Sequence, residues 1–187
     1  SHSSIRNLYL DTPDFRLIRR SLEKPVYKEK LRLRSYGRAD REHPVFMELK
    51  TKYRSIVYKR RLTLPYGRAL DCLTGDCPRP ETQNGREIGH AMDLYPDLEP
   101  RVVLSYERDS WYAPESGLRI TFDDAIRFRT ADLTLDSDLW GTALLRPDQV
   151  LMELKAPGAI PLWMVRLLTE MGLYKTSFSK YGTAYQI

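Results

Sequence analysis

Val26-Tyr27-Lys28-Glu29-Lys30-Leu31-Arg32-Leu33-Arg34-Ser35-Tyr36 is the stretch that decides the fold. Successive side chains of a β-strand point to opposite faces, so as a strand it places Lys28, Lys30, Arg32 and Arg34 on one face and Tyr27, Leu31 and Leu33 on the other. Taken alone it also suits a surface strand with its basic face in water. The same division recurs along the chain. Glu48 and Lys50 oppose Met47 and Leu49; Lys59 and Arg61 oppose Tyr58, Leu62 and Leu64; Glu153 and Lys155 oppose Met152 and Leu154. Arg119, Thr121 and Asp123 oppose Leu118, Ile120 and Phe122, whereas Arg108 shares its face with Leu104 and Tyr106.

Strands are expected over residues 5–11, 26–36, 44–52, 56–64, 102–112, 118–128 and 149–155, and helical segments over 13–22, 87–95 and 161–171, with a short turn at 68–73. Gly75 to Arg86, with Pro78, Pro80, Asn84 and Gly85, reads as a loop inside one domain, because neither half of the chain could cover its own sheet. Helices need an apolar surface, and these strands offer one on the face away from the charges. The charged face is then expected to line a curled sheet or barrel, giving an α+β fold: an antiparallel β-barrel of about eight strands with helices packed outside. Facing cations repel, so such a bore calls for a polyanion and a metal.

The 187 residues fit one domain with a sizeable core, and the formal charge of +5 favours an anionic partner. No stretch approaches the roughly 20 apolar residues that cross a bilayer, and the domain is expected to be cytoplasmic. Cys72 and Cys77 lack a second pair or a His cluster, which reads as two free thiols. His43 and His90 read as structural or exposed, Arg127 and Arg129 as surface charges, and Trp111, Trp140 and Trp163 as packing residues. Lys28 and Lys30 suit a bore mouth or plain surface equally, and Asp123 is expected to orient Arg119.

In this order, RNLYLDT, YKEKLRLRSYG, FMELKTK with YKRR, YERDSW, LRITFDD, VLMELK and SFSKY resemble the VTC-type polyphosphate polymerase domain, a branch of the triphosphate tunnel metalloenzymes with a CYTH-like fold. The resemblance runs from about Ile5 to Tyr185. It implies a tunnel barrel, Mn²⁺ or Mg²⁺, and transfer of the ATP γ-phosphate onto a growing inorganic polyphosphate chain. It also implies that Arg32, Arg34, Lys50, Lys59, Arg61, Arg108 and Arg119 bind phosphates, joined by Lys180 and its neighbour Ser179. Of these, Lys50, Lys59, Arg108 and Lys180 stand as catalytic cations, Glu153 as the metal ligand, and Tyr106 as the aromatic near the nucleotide base. The family's N-terminal strand and helix, the strand carrying a tunnel Lys, find no counterpart, so residues 1–187 are expected to be one tunnel domain lacking them. Competing functions are a tripolyphosphatase or nucleoside triphosphatase and a non-catalytic polyphosphate or inositol-phosphate binding module. A nucleic-acid partner is not expected, since a narrow bore admits a thin chain better than a duplex; a membrane partner outside this chain is left open.

Overall fold

The computed structural model describes residues 1–75 and 81–187. Its frame is one antiparallel sheet of eight strands: β1 (His2–Asp11), β2 (Tyr27–Tyr36), β3 (Pro44–Tyr53), β4 (Ile56–Pro65), β5 (Glu99–Ala113), β6 (Leu118–Arg129), β7 (Thr142–Ala143) and β8 (Leu151–Lys155). The order is β4-β3-β2-β1-β5-β6, with β7 and β8 pairing to different stretches of the same edge of β6. β4 and β8 are not paired with each other, so the sheet curls without a closed ladder among the described residues. The curl is real: Glu153 and Lys155 of β8 act electrostatically on Lys50 of β3, near the opposite end of the sheet.

The convex face follows the alternation. Leu8, Leu10, Leu31, Leu33, Met47 and Leu49 form its buried layer. Two helices cover it, α2 (Tyr66–Thr74) and α3 (Gln83–Leu94), through Tyr66, Ala69, Ile88 and Ala91. α2 is a full helix where only a turn is expected, and α3 begins four residues early: Thr82 accepts a capping bond from Gly85 N, placing Asn84 and Gly85 inside the first turn and not in a loop. Pro78, Pro80 and Cys77 lie outside the described residues. Cys72 is disulfide-bonded, which overturns its reading as a free thiol.

A second apolar cluster lies on the concave face, where Ile5, Tyr9, Leu104 and Tyr106 meet Ile18 of α1 (Arg16–Leu22) and Tyr181 and Ala184 of α5 (Lys180–Gln186). Asp11, fully buried, ties the three elements together. Its carboxylate accepts from the backbone N–H of Thr12 next to it, from those of Leu17 and Ile18 in the first turn of α1, and from the Tyr181 hydroxyl at 2.8 Å. Tyr181 also stacks on Tyr9, with centroids 4.4 Å apart. Asp11→Ala therefore removes a helix cap and a buried tie at once, and is expected to cost about 2–4 kcal/mol in urea denaturation; a loss under 0.5 kcal/mol would contradict this account.

β6 carries the main irregularity. Its register against β5 shifts between Ser105 and Glu107, where Ala125 adopts a left-handed φ of 47°. Below the bulge Asp123 faces the bore opposite Arg108; above it Ile126 and Phe128 take the inward places. Arg129 is thereby turned outward but not to water. It is 5% exposed, donating to the carbonyls of Asp132 and Thr134 and to Ser137 Oγ, which corrects its reading as a surface charge. Arg127 is exposed, as expected. Gly141 sits at φ 138°, where a Cβ would lie 2.3 Å from the Phe128 carbonyl oxygen; only glycine lets β7 reach β6 there.

α4 (Leu162–Glu170) forms after Pro161 as expected, yet only Met164 is buried and the stripe of Leu162, Val165 and Met171 stays exposed. Trp111, Trp140 and Trp163 are each about half exposed, against the expectation of packing residues; Trp111 rests edge-on against Phe122 and Trp140 under Arg129.

Candidate functional site: a cationic bore with two carboxylate hubs

Direct pairing across β1 to β4 stacks the concave side chains in rungs. One rung is Lys30, Lys50 and Lys59; the next is Tyr9, Arg32, Glu48 and Arg61; the next sets Asn7 against Arg34 and Phe46. Glu48, 1% exposed, is the hub of this half. It accepts from Arg32 at 2.7 and 2.8 Å, from Lys59 at 2.9 Å and from Arg61 at 2.5 and 2.9 Å, with Arg34 at 4.0 Å. Burial alone would raise its pKa, but the surrounding cations, Arg32 foremost, hold it down at about 2. Glu48 pairs with these residues rather than with Lys50.

Arg32 is held further by the Tyr9 hydroxyl at 3.1 Å, and Arg34 by Asn7 Oδ1 at 2.9 Å and the Tyr106 hydroxyl at 3.2 Å. Sequence reasoning missed Asn7 and Tyr9 as site residues. The signal was present, since Ile5, Asn7, Tyr9 and Asp11 alternate onto the charged face, but two neutral residues among apolar ones do not announce a site. In the lysine rung Lys59 shares the Glu48 hub, whereas Lys30 and Lys50 pair with no carboxylate among the described residues. Burial depresses the pKa of Lys30, of Lys50 and of Lys59; neighbouring cations add to the effect at each, against Glu48 at Lys59. Lys30 reaches Ser179 Oγ at 2.9 Å, which places it inside the bore.

Asp123 is the second hub, wholly buried. Its Oδ1 accepts from Arg108 Nε at 2.6 Å, and its Oδ2 from Arg108 Nη2 at 2.7 Å and Lys180 Nζ at 2.6 Å. The expected partner, Arg119, stands instead exposed beside Lys155 and Tyr112, outside both hubs. An arginine four residues away on the same strand lies roughly 13 Å along it, whereas Arg108 is directly opposite. Burial opposes ionisation of Asp123, and the bonds from Arg108 and Lys180 overcome it, lowering its pKa. Lys180 also reaches Glu153 at 3.2 Å, and its charge is the main influence that lowers the Glu153 pKa against burial. Tyr106 joins the halves: its hydroxyl serves Arg34, while the Arg108 guanidinium and the Lys180 ammonium lie 5.2 and 4.7 Å from its ring centroid. At 3% exposure it is covered by the cations.

No cluster of three or more His, Cys, Asp or Glu able to hold a metal occurs among the described residues. A hard divalent cation needs no such cage when phosphate oxygens and water complete its shell. Glu153 fits that role, partly exposed on the bore face and directly opposite Thr121, whose hydroxyl is buried without a hydrogen-bond partner.

Among the described residues, Glu48, Asp123 and Glu153 are the carboxylates paired with bore cations, leaving a large positive excess. The fold also occurs in solved proteins. A putative adenylate cyclase from Bacillus halodurans superposes with a TM-score of 0.55 at 16% identity, covering 95% of this chain and 79% of its own. A putative adenylyl cyclase from Hippeastrum, described as having a dominant triphosphatase activity, gives 0.54 at 14% identity, covering 100% and 83%. No curated protein is significantly similar in sequence, but the model of the VTC domain matches residues 1–187 throughout. By that match over its whole length, on a curled antiparallel sheet with a cationic concave face, the chain belongs to the VTC domain family.

Proposed function

We propose that the bore transfers the γ-phosphate of ATP onto the end of an inorganic polyphosphate chain. The observation that carries this is the continuous row of cations from Arg34 through Arg32 to the rung of Lys30, Lys50 and Lys59, whose buried counter-ion among the described residues is Glu48. A row of cations along one groove suits a linear polyanion, with arginine forks gripping individual phosphates and lysines following the chain as point charges. Phosphoryl transfer asks mainly for positioning and charge stabilisation. Arg32, Arg34 and Arg61 hold the phosphates; Lys50 and Lys59 face the chain; Arg108 and Lys180, fixed by Asp123, offset charge that develops on the transferred group. Arg119 and Ser179 extend the grip at the rim. Glu153, with Thr121 opposite, would hold Mn²⁺ or Mg²⁺, which when bound supplies a Lewis acid on phosphate oxygens. On this reading Tyr106 serves the phosphate end through Arg34, and its aromatic role toward a base is indirect. ATP and inorganic polyphosphate are the partners.

Incubation with ATP and Mn²⁺ is expected to yield long-chain polymer together with ADP. Phosphate release without polymer would replace this reading with a triphosphatase, the activity described for the Hippeastrum neighbour. Glu153→Gln is expected to lower metal-dependent turnover at least about 100-fold while leaving metal-free binding of tripolyphosphate within a factor of about three, as followed by titration calorimetry. Equal turnover in the variant would remove Glu153 from the metal site.

A further inference from the structure

The concave row of β2 does not end on a cation. After Lys28, Lys30, Arg32 and Arg34 comes Tyr36, the last residue of the strand, 42% exposed. It is braced from the side. Phe46 of β3 meets it edge-on at 5.8 Å and 82°, and the Arg61 guanidinium lies 4.5 Å from the Phe46 ring centroid, so the brace belongs to the Glu48 hub. Tyr36, Ile5 and Tyr106 share one rung of the sheet, with Ile5 of β1 standing between the open ring of Tyr36 and the covered ring of Tyr106.

Residues two apart on one face of a strand stand roughly 7 Å apart. That is about the span of a ribose with its 5′ oxygen. A phosphate held by Arg34 therefore brings the attached nucleoside over Tyr36, and the phosphates beyond it over Arg32 and the lysine rung.

We propose that Tyr36, braced by Phe46, is the platform on which the base of a nucleoside triphosphate stacks. This rests on the phosphate-binding reading of the bore and adds to it the group that separates a nucleotide from a bare polyphosphate. A π-face serves any base, so the platform selects for the presence of a base over its identity. Tyr112 is the competing ring, exposed on the same face at the far end of β5, but the Arg119 guanidinium already lies 6.0 Å from its ring centroid and no aromatic braces it among the described residues.

Calorimetric affinities for ATP and for inorganic tripolyphosphate, measured on the wild type, Tyr36→Ala, Tyr36→Leu and Tyr112→Ala, decide the matter. Loss of one stacked base corresponds to a weakening of about 5- to 100-fold. ATP binding is expected to fall within that range in both Tyr36 variants, with tripolyphosphate changed by less than about twofold and Tyr112→Ala treating the two ligands alike. Tyr36→Leu keeps the bulk beside Phe46, so a packing defect alone would leave it near wild type. Unchanged ATP affinity in the Tyr36 variants, an equal loss for both ligands, or an ATP-specific loss in Tyr112→Ala would each overturn the proposal. Failure of the wild type to bind either ligand would instead remove the phosphate reading beneath it.

Discussion

Glu48→Ala is expected to destabilise the protein by about 3–5 kcal/mol in urea denaturation at neutral pH. Its carboxylate is 1% exposed and is shared by Arg32, Lys59 and Arg61, with Arg34 at 4.0 Å. Removing it leaves four cations packed against one another. The fall of the Glu48 pKa from 4.5 to about 2 corresponds to ~3 kcal/mol of preference for the ionised form in the fold. The folded value is the depressed one, so the contribution is complete above the unfolded pKa of 4.5 and disappears as pH falls through about 2. The wild type should therefore lose its advantage over the variant in that acid window. Added tripolyphosphate should restore more of the melting temperature in Glu48→Ala than in the wild type, because it supplies the missing negative charge. A variant as stable as wild type at pH 7 would show that the cations are satisfied without Glu48.

The half of the bore built on β2, β3 and β4 was legible in the chain because period-two alternation is local, and each basic residue there has an apolar neighbour to betray its face. Lys30, Arg32, Arg34, Lys50, Lys59 and Arg61 follow from that rule. The β6 half was harder. The bulge at Ala125 carries no glycine to announce it, and beyond it the rule that places Asp123 inward would also place Arg127 and Arg129 inward. α5 gave little helical signal, since Gly182 disfavours a helix; the structure uses it because Leu22 and Ser179 approach to about where a Cβ would need room. The partners of Asp123 come from β5 and α5, and the chain gives no means of reading such long-range pairing. The strands at the two ends of the sheet had to be folded before Glu153 could be placed near Lys50.

That long-range hub sets the second large effect. Asp123→Asn preserves volume and keeps an oxygen for Arg108 Nε, but it puts an amide NH₂ where Oδ2 now accepts from both Arg108 Nη2 and Lys180 Nζ. Donors then face donors, and Lys180 and one arm of Arg108 are released. A displacement near 1 Å at a group that must meet the transferred phosphoryl costs about 100-fold in rate. On the polymerase reading, kcat with ATP should fall by about that factor. Affinity should move the other way or stay level, because Arg108 and Lys180 lose a competing carboxylate and become more available to phosphate. A fall in kcat with unchanged or tighter tripolyphosphate binding is thus the signature of a positioning carboxylate. Equal losses in both would mean that Asp123 holds the fold and not the geometry, and an unaltered kcat would remove Arg108 and Lys180 from the transfer step.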